Sequence, residues 1–158
     1  ISNFSEYYRL IDYFSQYTNA DIGVAMGVNN MLMVFDEKYY KDLSGGILEA
    51  FGKFFRNGLR VYLYPYKDPE THELLDSSNL KVDESLKELY KYFKLNNRIV
   101  DIKNYDPEFL EIYSREILRK IACNVSGWEN QVPEGVAEMI KERGMFGYKQ
   151  ELSLKQFS

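Results

Sequence analysis

Apolar positions recur along this chain with more than one period, and the changes of period mark its elements. Tyr7, Leu10, Ile11, Phe14 and Tyr17 fall at i, i+3, i+4, i+7 and i+10, which predicts a helix. Asn3 or Ser5 is placed to cap its start, and Ile1-Ser2-Asn3 reads as the tail of a strand before it. Thr18-Asn19-Ala20-Asp21 breaks the helical spacing. Ile22-Gly23-Val24-Ala25-Met26-Gly27-Val28 is then a continuous apolar run, the pattern of a strand buried on both faces of a parallel sheet. A second helix is predicted from Asn29 or Asn30, carrying Leu32 and Phe35, followed by a polar, aromatic loop over 37–42. Ser44-Gly45-Gly46 opens a third helix with Ile47, Leu48, Phe51, Phe54 and Phe55 at helical spacing, and Asn57-Gly58 closes it. Arg60-Val61-Tyr62-Leu63-Tyr64 consists of strong β formers and stops at Pro65.

Beyond Pro65 the pattern changes. Residues 67–79 are hydrophilic and read as an exposed turn or small excursion. Asp83 is placed to cap a helix with Leu86, Leu89, Tyr90 and Phe93 on its apolar face. Ile99-Val100-Asp101-Ile102 reads as a fourth, edge-like strand. Asp106-Pro107 is an N-cap with Pro at the first helical position. Ser114 is predicted to cap a helix with Ile117, Leu118 and Ile121 inward, and Pro133 to open a last helix that Gly144 ends. Strands alternating with helices long enough to cross over predict an α/β fold: a parallel sheet of three to four strands with crossover helices, followed by a mostly helical C-terminal half. The expected divisions are an α/β portion over 1–66, a hydrophilic connection over 67–82, a mostly helical portion over 83–148 packed on the first, and a frayed tail over 149–158.

Composition narrows the function. The 158 residues are 45% hydrophobic and 28% charged, enough apolar material for a core, which excludes disorder and a collagen-like chain. No apolar run approaches the ~18 residues a spanning helix needs. Twenty Lys+Arg against 24 Asp+Glu give a net charge of −4 with no basic block, which argues against a nucleic-acid binder. Cys123 is the lone cysteine, so an intrachain disulfide is excluded and a zinc site disfavoured; it is expected packed under a helix, in a reducing, cytoplasmic setting. The opening Ile1-Ser2-Asn3 has no charged region followed by an apolar one, so it is not read as a signal peptide but as a piece of a longer protein.

Ligands of open parallel sheets bind beyond the carboxyl ends of the strands. The residues there are Ser2, Asn3, Glu6 and Tyr7 after the first segment, Gly27, Asn29 and Asn30 after the second, and Tyr64, Tyr66 and Lys67 after the third. Polar loops at strand exits also follow from capping and turn chemistry alone. Ser44-Gly45-Gly46 before a helix offers free N–H groups to a phosphate, with Lys38, Lys41 and Lys53 near in sequence; the plainer reading is a helix start packed closely on the sheet. It is neither a Walker loop nor G-x-G-x-x-G. His72, the single histidine, lies in a hydrophilic turn and is expected in solvent, so no Ser–His–Asp or Cys–His arrangement is expected. Tyr39 or Tyr40 is a candidate ring for stacking a base, against the commoner role of a core aromatic with its hydroxyl at the rim.

Two stretches carry a resemblance. Leu110-Glu111-Ile112-Tyr113-Ser114-Arg115-Glu116-Ile117-Leu118-Arg119 resembles the I-S-S-T-x-I-R element of bacterial nicotinate-nucleotide adenylyltransferases. Val132-Pro133-Glu134-Gly135-Val136-Ala137-Glu138-Met139-Ile140-Lys141-Glu142-Arg143-Gly144-Met145-Phe146 resembles the helix that ends those enzymes. In that family the capped helix start and its Arg hold ATP phosphates. The resemblance carries Ser114 over as a phosphate contact, with Ile112 and Ile117 as packing positions; Arg115 replaces the family's Thr, and Leu118 stands where its Arg belongs, with Arg119 next door. The family's catalytic H-x-G-H is not in this chain. More broadly, the chain resembles the C-terminal portion of a longer bacterial family named nicotinate-nucleotide adenylyltransferase-like, through 1–10, 35–40 and 45–52.

The resulting expectation is a domain that binds a phosphate-bearing small molecule, a nucleotide for preference, as the C-terminal portion of a larger nucleotidyltransferase-like protein. Its contacts are Asn3, Asn29, Lys38, Gly45, Gly46 and Ser114, its cofactor a nucleotide if any, its metal none, and its partner the remaining N-terminal part of the same protein. The alternative is a non-catalytic interaction or scaffold module, with an oligomer or a partner.

Overall fold

The apolar faces read from the sequence collect into two separate cores. The computed structural model describes Phe4 and residues 6–149, and its compact units divide between Tyr105 and Asp106. The strand tail expected at 1–3 and the tail beyond Lys149 lie outside the described residues.

The first unit runs α1 (Tyr7–Phe14), β1 (Gly23–Gly27), α2 (Val28–Val34), a 3-10 turn (Glu37–Tyr40), α3 (Gly46–Phe54), β2 (Arg60–Tyr64), β3 (Tyr66–Lys67), β4 (Leu74–Leu75), α4 (Lys87–Leu95) and β5 (Ile99–Asp101). Its sheet has the order β1-β2-β5 and is parallel throughout. The fold is α/β, with three parallel strands joined by crossover helices. Parallel strands cannot be joined by tight turns, so each return needs such a crossover. The chain steps from β1 to β2 to β5 without reversing. With right-handed connections, an unreversed order puts every crossover on the same face.

The pairing register shows which face is covered. Val24, Val61 and Ile99 form one row and Met26 and Leu63 the next, and Met26, Val61, Leu63 and Ile99 are buried. Gly23 and Ala25 alternate to the other side and are exposed, as is Tyr62. The apolar run over 22–28 is therefore buried on one face, not two. Its outward positions are Gly and Ala, whose small size hides the alternation from a hydropathy reading.

Aromatic rings fill the covered side. Phe55 stacks on Phe93 at 4.0 Å between centroids, Phe51 meets Phe93 at 5.5 Å, and Phe35 lies edge-on to Phe51 at 4.8 Å. These rings come from α2, α3, α4 and the residues ending them, so one cluster ties the crossovers together. Residues 83–105 belong to this unit, with Asp83 accepting the Ser85 amide at 2.9 Å to start the turn before α4. Asn57 and Gly58 both adopt positive φ after α3, as a chain reversal into β2 requires.

The second unit holds a 3-10 turn (Pro107–Glu111), α5 (Ser114–Ala122) and α6 (Val136–Arg143) around Ile117, Ile121, Trp128, Ala137 and Ile140. Asp106 caps as read, accepting the Glu108 amide at 3.0 Å. Ser114 is the first helical residue, and Tyr113 occupies the N-cap position. Cys123 is exposed at the end of α5 rather than packed beneath a helix, because the apolar stripe of Ile117 and Ile121 faces away from it. Gly144, at φ 58°, ends α6. Glu129 anchors the Trp128 turn: it accepts the Lys141 ammonium and the Gly127 amide, each at 2.9 Å.

Leu63→Ala empties a fully buried position in the central strand and should cost ~2–5 kcal/mol in denaturant unfolding followed by far-UV circular dichroism. Leu48→Ala, at a position 66% exposed, should change it by less than ~0.5 kcal/mol. In the second unit the Lys141 hydrogen bond, then the amides, hold Glu129 down from 4.5 to about 2. A depressed carboxylate contributes stability that is complete above its unfolded value and fades as pH falls through the folded one. Glu129→Gln should therefore lower the unfolding midpoint read by Trp128 fluorescence at pH 6–7, and the gap to wild type should close as pH approaches 2.

Candidate functional site

The carboxyl ends of the strands come first, because the fold places ligand sites of open α/β sheets there. Beyond β5 that rim is filled by the chain itself. The Asp101 carboxylate accepts the Ser77 amide at 2.9 Å and the Ser77 hydroxyl at 2.6 Å. The Ser77 carbonyl in turn accepts the Tyr90 hydroxyl at 2.9 Å and the Lys94 ammonium at 2.6 Å. Ser77 is buried, and burial pushes the Tyr90 hydroxyl well above its ordinary value. The hydrophilic stretch over 67–79 is thus a pinned excursion, with β3 and β4 paired antiparallel at its base. His72, at its tip, is exposed.

Each of the described residues expected from sequence to hold a ligand has its own surroundings. Asn3 lies outside the described residues. Asn29 is exposed on the first turn of α2. Lys38 is exposed and paired with Asp36, with its ammonium 4.8 Å from the Tyr39 ring centre; the hydrogen bond from Lys38 lowers the Asp36 carboxyl. The Gly45 amide donates to Glu49 Oε2 at 2.9 Å, and the Gly46 amide to the Leu43 carbonyl at 3.0 Å. The same Glu49 carboxylate takes the Ser44 hydroxyl at 3.3 Å and the Lys53 ammonium at 2.7 Å. A carboxylate of the chain therefore stands where a phosphate was expected. Ser114 is exposed in the second unit.

A different cavity forms in the first unit. α1, α2 and the 37–40 turn enclose a cleft of about 230 Å³. Tyr7 and Leu10 face it from α1, Asn30, Met33 and Val34 from α2, and Tyr39 and Tyr40 from the turn, with Phe4 and Glu6 at its edge. Spacing explains the α2 contribution, since 30, 33 and 34 share one helical face. The Tyr40 hydroxyl donates to the Val34 carbonyl at 2.8 Å, which fixes the turn against α2; burial raises that hydroxyl well above its ordinary range. Glu6 is held by Arg9 at 3.4 Å. The lining is mostly aromatic and apolar, with the Asn30 amide and the Glu6 carboxylate as its polar groups beside the tyrosine hydroxyls. Of the sequence candidates, Glu6, Tyr7, Asn30, Tyr39 and Tyr40 meet here. Leu10, Met33 and Val34 carry no site signal in the sequence, because an apolar residue on an amphipathic helix bears no mark that separates cleft wall from core.

Comparison with known protein families, with curated proteins and with solved structures finds no match to this chain. Among the described residues there is no group of three or more His, Cys, Asp or Glu suited to a metal ion, and no helix long and apolar enough to cross a membrane.

The Ser77 anchorage has a measurable consequence. Asp101→Ala leaves the Ser77 amide and hydroxyl without an acceptor, a loss of ~1–3 kcal/mol. Hydrogen exchange at residues 74–79 should accelerate in this variant while the amides of α3 keep their protection.

Proposed function

We propose that this protein binds a small molecule through a flat ring, and that a nucleobase is the ring its aromatic cleft suits. The observation that supports this most is the joining of Tyr7, Tyr39 and Tyr40 around one cleft with a single side-chain amide, Asn30, at its wall. Binding sites are mostly apolar with a few placed polar groups. A volume of about 230 Å³ lies below the ~300–1,000 Å³ of drug-sized pockets, which favours one ring system. The Asn30 amide both donates and accepts, as an edge-on contact with a base requires. Lys38 lies above the Tyr39 ring and is already paired with Asp36, so the cleft recognises the ring of a nucleotide rather than its phosphate. In this reading Gly45, Gly46 and Ser114 take no part, and the nucleotidyltransferase-like resemblance bears on ligand class rather than on a reaction. A second reading, a non-catalytic interaction module, is favoured by the exposed rings on and near α1: Tyr13 lies 5.7 Å from Phe4 and 5.0 Å from Tyr17.

The test is a titration of the chain with adenosine monophosphate, nicotinate mononucleotide and free adenine, followed by NMR. Shifts are expected at the Asn30 side-chain amide and the Met33 methyl. Base–aromatic stacking is worth ~1–3 kcal/mol, so Tyr39→Ala should weaken binding roughly ten-fold or more. An unmoved Asn30 at millimolar ligand would remove the proposal, and a dimer on sizing that Tyr13→Ala and Tyr17→Ala dissolve would favour the interaction module.

A further inference from the structure

At the amino ends of the strands, two arginines stand side by side. Val61 pairs with Ile99 in parallel register, so Arg60 lies next to Arg98, and the Val61 amide donates to the Arg98 carbonyl at 2.7 Å. Both side chains line the same recess at the amino end of the sheet, beside Gly58. Like charges directly opposite on adjacent strands destabilise the pair. Three other cations of the first unit are each neutralised by an acid: Lys38 by Asp36, Lys53 by Glu49 and Arg56 by Asp12. Among the described residues neither Arg60 nor Arg98 forms an ion pair; Arg98 Nη1 donates to the Leu59 carbonyl at 3.4 Å.

The two guanidinium groups open on a polar dish of about 420 Å³, completed by Asp21, Gly58, Tyr92 and Asn96. Gly58 has φ 76°, and a Cβ there would stand 3.6 Å from Arg98 Nη1 and 3.7 Å from Asp21 Oδ1. One carboxylate offsets one guanidinium, so the dish keeps a formal positive charge. The C-terminal carbonyls of α4, which would repel an anion, are already engaged. The Tyr92, Phe93 and Lys94 carbonyls accept the amides of Asn96, Arg98 and Asn97 at 2.8–3.1 Å.

We propose that Arg60 and Arg98 form a site for the phosphate group of a small ligand. Adjacent strands lie ~4.8 Å apart, so the two planar forks face one anion from two directions. A carboxylate presents only two oxygens, both used by one bidentate fork, whereas a tetrahedral phosphate has further oxygens to offer the second fork. This site is separate from the aromatic cleft. It sits at the amino ends of β2 and β5, whereas α2, which lines the cleft, leaves the carboxyl end of β1.

The experiment is a thermal-shift titration of the full chain with sodium phosphate, with sodium acetate and with sodium chloride at matched ionic strength. Phosphate should raise the wild-type midpoint by about 3–8 °C more than either control. Arg60→Gln and Arg98→Gln should each abolish that difference and, without phosphate, melt no lower than wild type, because the like-charge contact is relieved. Amide NMR of the wild type, which needs no variant, should move Gly58, Arg60 and Asn97 under phosphate. Equal effects of the three salts would overturn the site, as would variants that keep the phosphate shift. Acetate matching phosphate would overturn the tetrahedral selectivity, and shifts at 44–47 instead would return the anion to the Ser44-Gly45-Gly46 turn.

Discussion

The constraint on which the first unit rests is the unreversed order of its parallel strands. Each strand must be followed by a crossover, each crossover turns the same way, and the order β1-β2-β5 never doubles back. All the helices are thereby committed to one face, and the aromatic cluster of Phe35, Phe51, Phe55 and Phe93 is where they meet. The same constraint leaves the opposite face with Gly23, Ala25 and Tyr62 exposed. It also removes the crevice that a reversal of strand order creates in doubly wound sheets. A ligand site at the carboxyl rim therefore has no topological reason to exist among the described strands, and the cavity found lies between helices.

How far this was legible depends on the element. Helical spacing identified α1, α3 and α4 because each carries bulky residues on a single stripe, and Arg60-Val61-Tyr62-Leu63-Tyr64 stood out as a strand. Its strict alternation also announced one covered face, and that reading was open in the sequence. The run over 22–28 pointed the other way, since Gly and Ala count as apolar wherever they face. The sequence points to Ser114 and Pro133 as helix openers; Tyr113 and Gly135 hold those N-cap positions. Capping propensities rank residue types, whereas the start of a helix is set by where its stripe meets the core.

The candidate site was less legible, and for one physical reason. Whether a turn can receive an anion depends on whether another part of the chain already satisfies it. Gly45 is answered by Glu49, four residues away, a contact readable in principle from the spacing. Ser77 is answered by Asp101, 24 residues away across the sheet edge, which no local pattern contains. The cleft around Asn30 has the same character, being made of three short segments that only tertiary packing brings together.

These cases share a rule that bears on the charge of the whole molecule. Carboxylates occupy turn after turn: Asp68 takes the Glu70 and Thr71 amides, Asp76 the Ser78 amide, Asp83 that of Ser85, Asp106 that of Glu108, and Glu129 that of Gly127. A protein with 24 acidic and 20 basic side chains thus spends many of its acids on its own backbone amides, the groups that would otherwise attract phosphate. An anion entering such a molecule meets filled turns and must find cations instead. Several lysines on the helices are met by neighbouring acids, as Lys53 is by Glu49 and Lys141 by Glu129. Arg60 and Arg98 escape this pattern because the strand register, not a turn, sets them side by side, and a single acid, Asp21, shares their dish. Their backbones are held side by side by the same pairing that builds the sheet, so only their side chains are free to move apart.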